Sequence, residues 1–328
     1  MCLPYVSPAR NYRPGGTVHD SAVTTVAVCI ATLHRPVGLA ALLDSLVRLQ
    51  VPDKVDLSII VVDNDATASA LDLAADYRKR LPGRLVYAVE ERPGIPFARN
   101  KAVSAAGVAD WYAFVDDDET VAPDWLVELL RVARAHDADV VTGTVLPRFV
   151  QPPPAWVRDG GFFERPRFPT GTRISYARTS NALVAGHLLT STDRPFNEAL
   201  AKSGGSDTHF FQRVRLGRGK IVWADAAVVQ ESVPASRVRA QWLLRREYRR
   251  GNTLSLCLRD LEDSPRRRAK RVAASGVHGL TGLAIVASSL VRGRVALLRG
   301  LQRIAFACGL ITGLSGHVYE EYTVIHGA

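Results

Sequence analysis

Apolar residues follow two rhythms along this chain. Up to residue 145, short runs rich in β-branched and aromatic residues (VTTVAVCIA at 23–31, DLSIIVV at 56–62, the run at 84–89 and WYAFV at 111–115) alternate with longer stretches in which apolar residues recur at helical spacing. The runs are too short for helices and too uniformly apolar for a sheet wetted on one face. They predict strands buried on both sides. Helices are predicted over 38–49, 68–81 and 123–136, with GIPFARNKAVSAAG at 94–107 completing the alternation and a further strand at 140–145. Strands spaced by helices predict an α/β domain with a largely parallel sheet covered on both faces.

Beyond 145 the rhythm changes. PRFVQPPPAWVRDGGFFERPRFPTG, at 147–171, is too rich in Pro and Gly to hold regular structure for long, and a long irregular loop beside a site is often a lid. A helix over 208–216, a strand over 220–229 and an arginine-dense helix over 237–250 follow. Two apolar stretches come last, 272–291 and 304–318; His278 is the only potentially charged side chain in the first. Twenty apolar residues are about enough to cross a bilayer, but Gly, Ser and His weaken that reading. Helices lying on the membrane surface fit better, and two ordinary helices packed on the core remain an alternative. The pattern divides the chain into a loose tail over 1–20, an α/β domain over 21–255 and a basic, apolar helical region over 256–328.

Charge sharpens this division. The net charge is +10, and 237–303 alone holds sixteen Lys or Arg against four acids. The basic excess therefore sits around the apolar helices, where it suits anionic lipid heads. No zinc-finger, RRM or KH pattern accompanies it, so nucleic acid is not an expected partner. The Pro-rich opening residues lack the apolar core of a signal peptide, and four scattered cysteines fit a reducing compartment. The expected location is the cytoplasmic face of the cell membrane.

The chemistry gathers where strands end. WYAFV runs into Asp116, Asp117 and Asp118, and DLSIIVV into Asp63, Asn64 and Asp65. In an open α/β sheet ligands bind outside the carboxyl ends of the strands. Adjacent carboxylates repel, and a hard divalent cation, Mg2+ or Mn2+, relieves that repulsion while also meeting substrate phosphates. A solvated turn capping the next helix is the competing explanation for the triplet, and an Asx turn for Asp63. Arg99 offers a planar fork of donors, unless it forms only a surface ion pair. Neither GxGxxG nor a Walker loop is present, which weighs against a dinucleotide-binding dehydrogenase or a P-loop enzyme. Trp156, Phe162 and Phe163 either stack on a sugar or pin their loop to the core. Arg245, Arg246 and Arg249 either neutralise a diphosphate or form a solvated basic face.

Five motifs in order, CIATLHRP, IIVVDND, PGIPFARNKAV, FVDDDETVAPDWL and GGSDTHFFQRVRLG, resemble the metal-dependent, inverting glycosyltransferases of family two, which have the GT-A fold. The likeness covers about 23–252 and is strongest to bacterial exopolysaccharide enzymes of the succinoglycan glucosyltransferase type. By position, the resemblance implies that Thr32 and Arg35 border the nucleotide, Asp63 binds its base and Arg99 supports the same site. It makes Asp116 and Asp118 the outer, metal-holding members of a DxD element around Asp117, and sets Asn181 near the donor sugar. It implies a UDP-sugar or another nucleoside diphosphate sugar as donor, and a saccharide or polyprenyl-diphosphate-linked acceptor met by Trp156, Arg245 and Arg246. Family members usually carry Glu-Asp where this chain has Ser206-Asp207, which leaves Asp207 as the base, or as a mere helix cap. Some relatives have a histidine after the strand at 220–229, where this chain has Gln230 and Glu231. A nucleotidyltransferase on a similar sheet and a non-catalytic basic protein are the rival functions.

Overall fold

Four strands of branched and aromatic residues build the parallel half of the sheet: β1 (Thr24–Thr32), β2 (Val55–Asp63), β3 (Arg84–Val89) and β4 (Trp111–Phe114). They lie in the order β3-β2-β1-β4, and the register pairs Thr32 with Asp63, so the carboxyl ends of β1 and β2 are level. The computed structural model describes residues 23–319; the tail expected over 1–20 lies outside the described residues. Side chains alternate between two cores. Val26, Val28 and Ile30 of β1 pack on the leucines of α1 (Pro36–Val47) and of α4 (Trp125–His136). Ala27 and Cys29 face the opposite way, toward α3 (Ile95–Ala106) and the phenylalanines of α7 (Ser206–Leu216).

Helix α2 (Leu71–Tyr77) is shorter than the 68–81 expected. Asp65 accepts the Thr67 N–H at 3.0 Å, and Ala68 then takes a left-handed φ of 55°, so the helix starts only after this turn.

Past β4 the sheet becomes mixed, because β8 (Ala182–Ala185) inserts antiparallel between β4 and β6 (Val140–Phe149). β9 (Ile221–Val233) runs parallel to β6 through a bulge at Gly143/Thr144 and carries β5 (Glu119–Val121) antiparallel on its far edge; β7 (Arg173–Ile174) also pairs with β9. Both β6 and β9 outrun their expected ends, each gaining hydrogen bonds from the other. The loop at 147–171 accordingly begins with strand, and it contains the short helix α5 (Ala155–Gly160). A brief helix α6 (Gly186–Thr190) follows β8.

The C-terminal layer is helical. α8 (Ala240–Leu261) passes residue 255 without a break, and α9 (Pro265–Ser315) turns back on itself at Gly293, whose φ of 73° is open to glycine at no steric cost. The arms 265–292 and 294–315 lie side by side: Ser275 donates to the Ala307 carbonyl at 2.9 Å, and the His278 and Phe306 rings meet edge to face at 4.9 Å. The second arm rests on α8, where Arg250 covers the Phe306 ring at 4.5 Å and Asn252 donates to Thr312 at 3.2 Å.

Helix α7 is tied to α8 by buried His209, whose Nε2 lies 2.6 Å from an Asp260 carboxylate oxygen. Burial lowers the His209 pKa, and Asp260 only partly offsets this; Arg213 lowers it further. The unfolded imidazole takes up a proton near its ordinary pKa of about 6.5 while the folded one resists, so stability falls as pH drops below about 6.5. His209→Gln keeps a donor toward Asp260 and removes the titration. Its melting temperature should fall less steeply than the parent's between about pH 6.5 and 5, and an unchanged slope would assign the acid sensitivity to other groups.

Candidate active site

Four consecutive acids leave the end of β4, and they are held apart by arginines from four different segments. Asp117 is the most buried of the three aspartates. Its two oxygens accept from the Thr32 hydroxyl at 2.8 Å and from Arg35 at 2.9 Å. Helix α1 begins right against this turn, because a Cβ on Gly38 would fall 2.5 Å from the Asp117 carbonyl oxygen. Burial outweighs the pull of Arg35 and pushes the Asp117 carboxyl up to about 6.

Asp118 meets Arg237 at 3.1 Å and Arg35 at 3.4 Å. Asp116 meets Arg99 at 3.4 Å, and the same guanidinium donates to the Ser206 hydroxyl at 3.3 Å, which links the acidic turn to the first turn of α7. Burial raises the Asp116 pKa against the attraction of Arg99, and the charges of Asp118, Asp207 and Glu231 raise it further. Glu119 accepts the Asp116 N–H at 2.9 Å and sits directly opposite Glu231 in the β5–β9 ladder. Like charges opposed across strands repel. Here Arg165 and Arg237 both bind Glu231, and burial holds Glu119 well above the usual carboxylate range.

The donor set suits a hard cation, yet only part of it is open. Of the triplet, the Asp116 and Asp118 side chains are 39% and 19% exposed and Asp117 only 6%. Among the described residues no three acidic, His or Cys side chains converge on one point, since guanidinium groups now hold the oxygens a cation would take. Asp116 and Asp118 therefore fit a metal by chemistry and by exposure. Asp117, which as the centre of the DxD element is expected among the nucleotide-sugar-binding residues, has both its oxygens engaged inside the protein, as is the Thr32 hydroxyl.

Asp63 is fully buried. One oxygen accepts from the Ala70 N–H at 2.7 Å and the Tyr87 hydroxyl at 2.8 Å, while Oδ1 has no partner. An orphaned buried carboxylate oxygen is costly, and a donor such as a base N–H would relieve it. Asp207 is half-buried in the first turn of α7. The cap position itself is Gly205, and Asp207 accepts only from the next residue, from the Thr208 N–H at 2.7 Å. Its charge reaches Asp116 and also Arg178, whose pKa is lowered by desolvation of the guanidinium and by Arg165.

Asn181 needs correction as a sugar contact. It is buried beneath the site, where it accepts from the Trp125 indole at 2.8 Å and donates to the carbonyls of Thr144 at 3.0 Å and Ala227 at 2.8 Å, beside the β6–β9 bulge. No polar atom is left over. Trp156 is likewise occupied, packing on Phe162 at 5.8 Å with Arg294 over its ring at 5.0 Å. Phe162 and Phe163 pin the loop as the alternative reading held: Phe163 stacks on Trp242 at 5.7 Å. Arg246 donates to the Phe162 carbonyl at 2.8 Å and lies over Phe163 and Trp242; burial lowers its pKa to about 10. Arg245, one residue earlier, is exposed.

Glu119, Arg165, Arg178, Glu231 and Arg237 complete the site, and sequence reasoning assigned none of them a role there. Glu119 carries the one usable signal, as the fourth acid in the run. The others gain meaning only from the β5–β9 pairing and from the path of the loop.

Asn181→Ala should leave the indole N–H and two strand carbonyls unpaired, costing at least about 2 kcal/mol. A melting temperature lower by several degrees is the expected result; an unchanged melting temperature with weakened donor binding would restore Asn181 to the sugar site.

Residues 27–189 match Glycosyl transferase family 2. Succinoglycan biosynthesis protein ExoM of Rhizobium meliloti (strain 1021) is 33% identical over 306 residues, covering 92% of this chain and 95% of that protein. The mannosyltransferase PcManGT from Pyrobaculum calidifontis, solved with GDP-Man and Mn2+, superimposes with a TM-score of 0.59 over 88% of this chain and 86% of its own, at 17% identity. S. aureus TarS 1-349, solved with UDP-GlcNAc, gives 0.52 over 93% and 95%, at 16% identity. At these identities the two structures speak for the fold alone.

Proposed function

Because the chain belongs to glycosyl transferase family 2 and is a glycosyltransferase with a GT-A fold, we infer that it moves a sugar, with inversion, from a nucleoside diphosphate sugar to a saccharide or polyprenyl-diphosphate-linked acceptor in surface polysaccharide synthesis. The donor is a UDP-sugar, and the place of work is the cytoplasmic face of the membrane. One observation carries this reading: the open acids Asp116 and Asp118 stand at a strand end, with Asp207 near enough to perturb Asp116. The naming of the relative for succinoglycan biosynthesis supports the pathway class, and the nucleotide sugars bound by the fold's neighbours support the donor class.

Each residue then has a task. Asp63 Oδ1, unpartnered, accepts from the nucleobase once the base enters. Asp116 and Asp118 would hold Mg2+ or Mn2+, which would supply positive charge to the departing diphosphate. A cation there would compete with Arg35, Arg99 and Arg237 for these carboxylate oxygens, and the guanidiniums could also meet phosphate oxygens. Asp207 takes the proton of the attacking hydroxyl, so that the acceptor oxygen bonds to the anomeric carbon as the bond to the diphosphate breaks. Asp207 stands in the first turn of α7, and its placement beside the acidic turn is what suits it to this task.

Two outcomes are expected. Titration with UDP should show affinity that rises with Mg2+ or Mn2+, and Asp118→Ala should lose that metal-dependent gain; equal affinity with and without metal in the parent would remove the cation from the reading. Asp207→Asn should keep donor affinity and melting temperature while transfer falls by roughly 10²-fold or more. Transfer at the parental rate would make Asp207 a bystander.

A further inference from the structure

The first arm of α9 presents a surface that no packing in the molecule accounts for. Val277, Leu280, Leu283, Leu290 and Val291 are 63%, 71%, 58%, 93% and 94% exposed, and Ala287 between them is exposed too. Their spacing of three and four puts them on one side of the helix. Over 272–291 no Asp, Glu, Lys or Arg interrupts the sequence. Twenty helical residues make a stripe about 30 Å long. Arg266, Arg267 and Lys270 stand before it, and Arg292 and Arg294 after it. A soluble helix carries polar residues on its outer side; this one carries them only at its ends.

The other side of the arm is taken. The second arm covers it, through the Ser275–Ala307 hydrogen bond and the His278–Phe306 contact. The second arm is in turn fastened to the body by α8 and by Arg299, which donates to the Gly160 carbonyl of α5 at 3.1 Å. It also carries exposed Arg303, close enough to His278 in the middle of the first arm to lower that histidine's pKa, after burial. A hairpin that crossed a bilayer would carry this arginine to mid-depth, where insertion costs about 2.5–3.5 kcal/mol, and would draw α8 in with it.

We propose that the first arm of α9 lies flat in the plane of an anionic bilayer, its apolar stripe at the boundary between headgroups and acyl chains and its terminal arginines on lipid phosphates, with neither arm crossing. This deepens the membrane part of the proposed function and rests on that part alone, not on sugar transfer. The occupant follows from charge complementarity. Cations at both ends of an uncharged stripe match a surface that is anionic at headgroup level and apolar just beneath it. A protein partner would need no such cationic pair of ends.

The test uses the full chain and vesicles of phosphatidylglycerol and phosphatidylcholine in equal parts. The parent should float with the vesicles, and the double variant Leu280→Glu with Leu283→Glu should lose at least tenfold in bound fraction, with an unchanged melting temperature because both positions are already exposed. Arg267→Cys and Arg292→Cys, made singly in a background with Cys2 and Cys308 replaced by Ser, then report topology through an impermeant maleimide added outside the vesicles. Labelling of both positions is expected. Protection of one until detergent is added means a crossing and overturns the proposal. Failure to float, with a dimer that the double Glu variant dissociates, makes the stripe a contact between copies and overturns it as well. Loss of donor turnover with flotation intact would count against the sugar-transfer reading and leave this one standing.

Discussion

Everything at the site depends on keeping Asp116, Asp117, Asp118 and Glu119 together despite their mutual repulsion. The chain meets this constraint with guanidinium groups drawn from four segments: Arg35 after β1, Arg99 on α3, Arg165 in the loop after β6 and Arg237 after β9. Buried ion pairs contribute little net stability, because desolvation offsets their attraction. Burial raises the pKa values of Asp117 and Glu119 against the attraction of Arg35 and Arg165, in line with that offset. What the network provides is geometry. Arg35, Arg99 and Arg237 each fix their own segment to the acidic turn, and Arg165 fixes its loop to Glu231 opposite Glu119, so the charge pattern and the closure of the sheet are one arrangement.

The parallel half of the sheet was legible in the sequence because its information is local. A both-sides-buried strand announces itself by an unbroken apolar run, and β1 to β4 do so. The antiparallel additions are different. Short β5 has no signal of its own, and only its pairing with β9, more than a hundred residues later, makes it a strand. The same pairing turns Glu231, which the sequence shows merely as the absence of a histidine, into a carboxylate facing Glu119. Motif position put Asp63, Asp116 and Asp118 at or just past strand ends and Arg99 on the helix that pairs with Asp116. It could not say which polar atoms remain available. Asn181 sits where the motif puts it and still offers nothing to a ligand, because a bulge in the neighbouring strands uses every donor and acceptor it has.

The loop over 147–171 shows the limit of reading composition as mobility. Its Pro and Gly content suggests a free lid, but its aromatic residues are placed against the helical layer. Phe162 packs with Leu243 and Leu298, Phe163 stacks on Trp242, and Arg246 caps the group. Loop, α8 and α9 thus pack as one layer beside the sheet, and Arg165, within that loop, brings the layer into the ion network.

The uninterrupted course of α8 bears on how this protein can be divided. A cut at residue 255, between the regions that composition distinguishes, would fall inside a helix of 22 residues. It would leave the Asn252 amide, which donates to the Thr312 hydroxyl and the His317 carbonyl, facing solvent-filled space, and would strip the partner from Arg250 at Phe306. A shortened catalytic fragment made for solubility would therefore gain an exposed helical face in exchange for the one it lost. The seam suited to surgery is not there. Exchanging the outer stripe residue by residue, with both arms kept, alters the surface while leaving every internal contact in place.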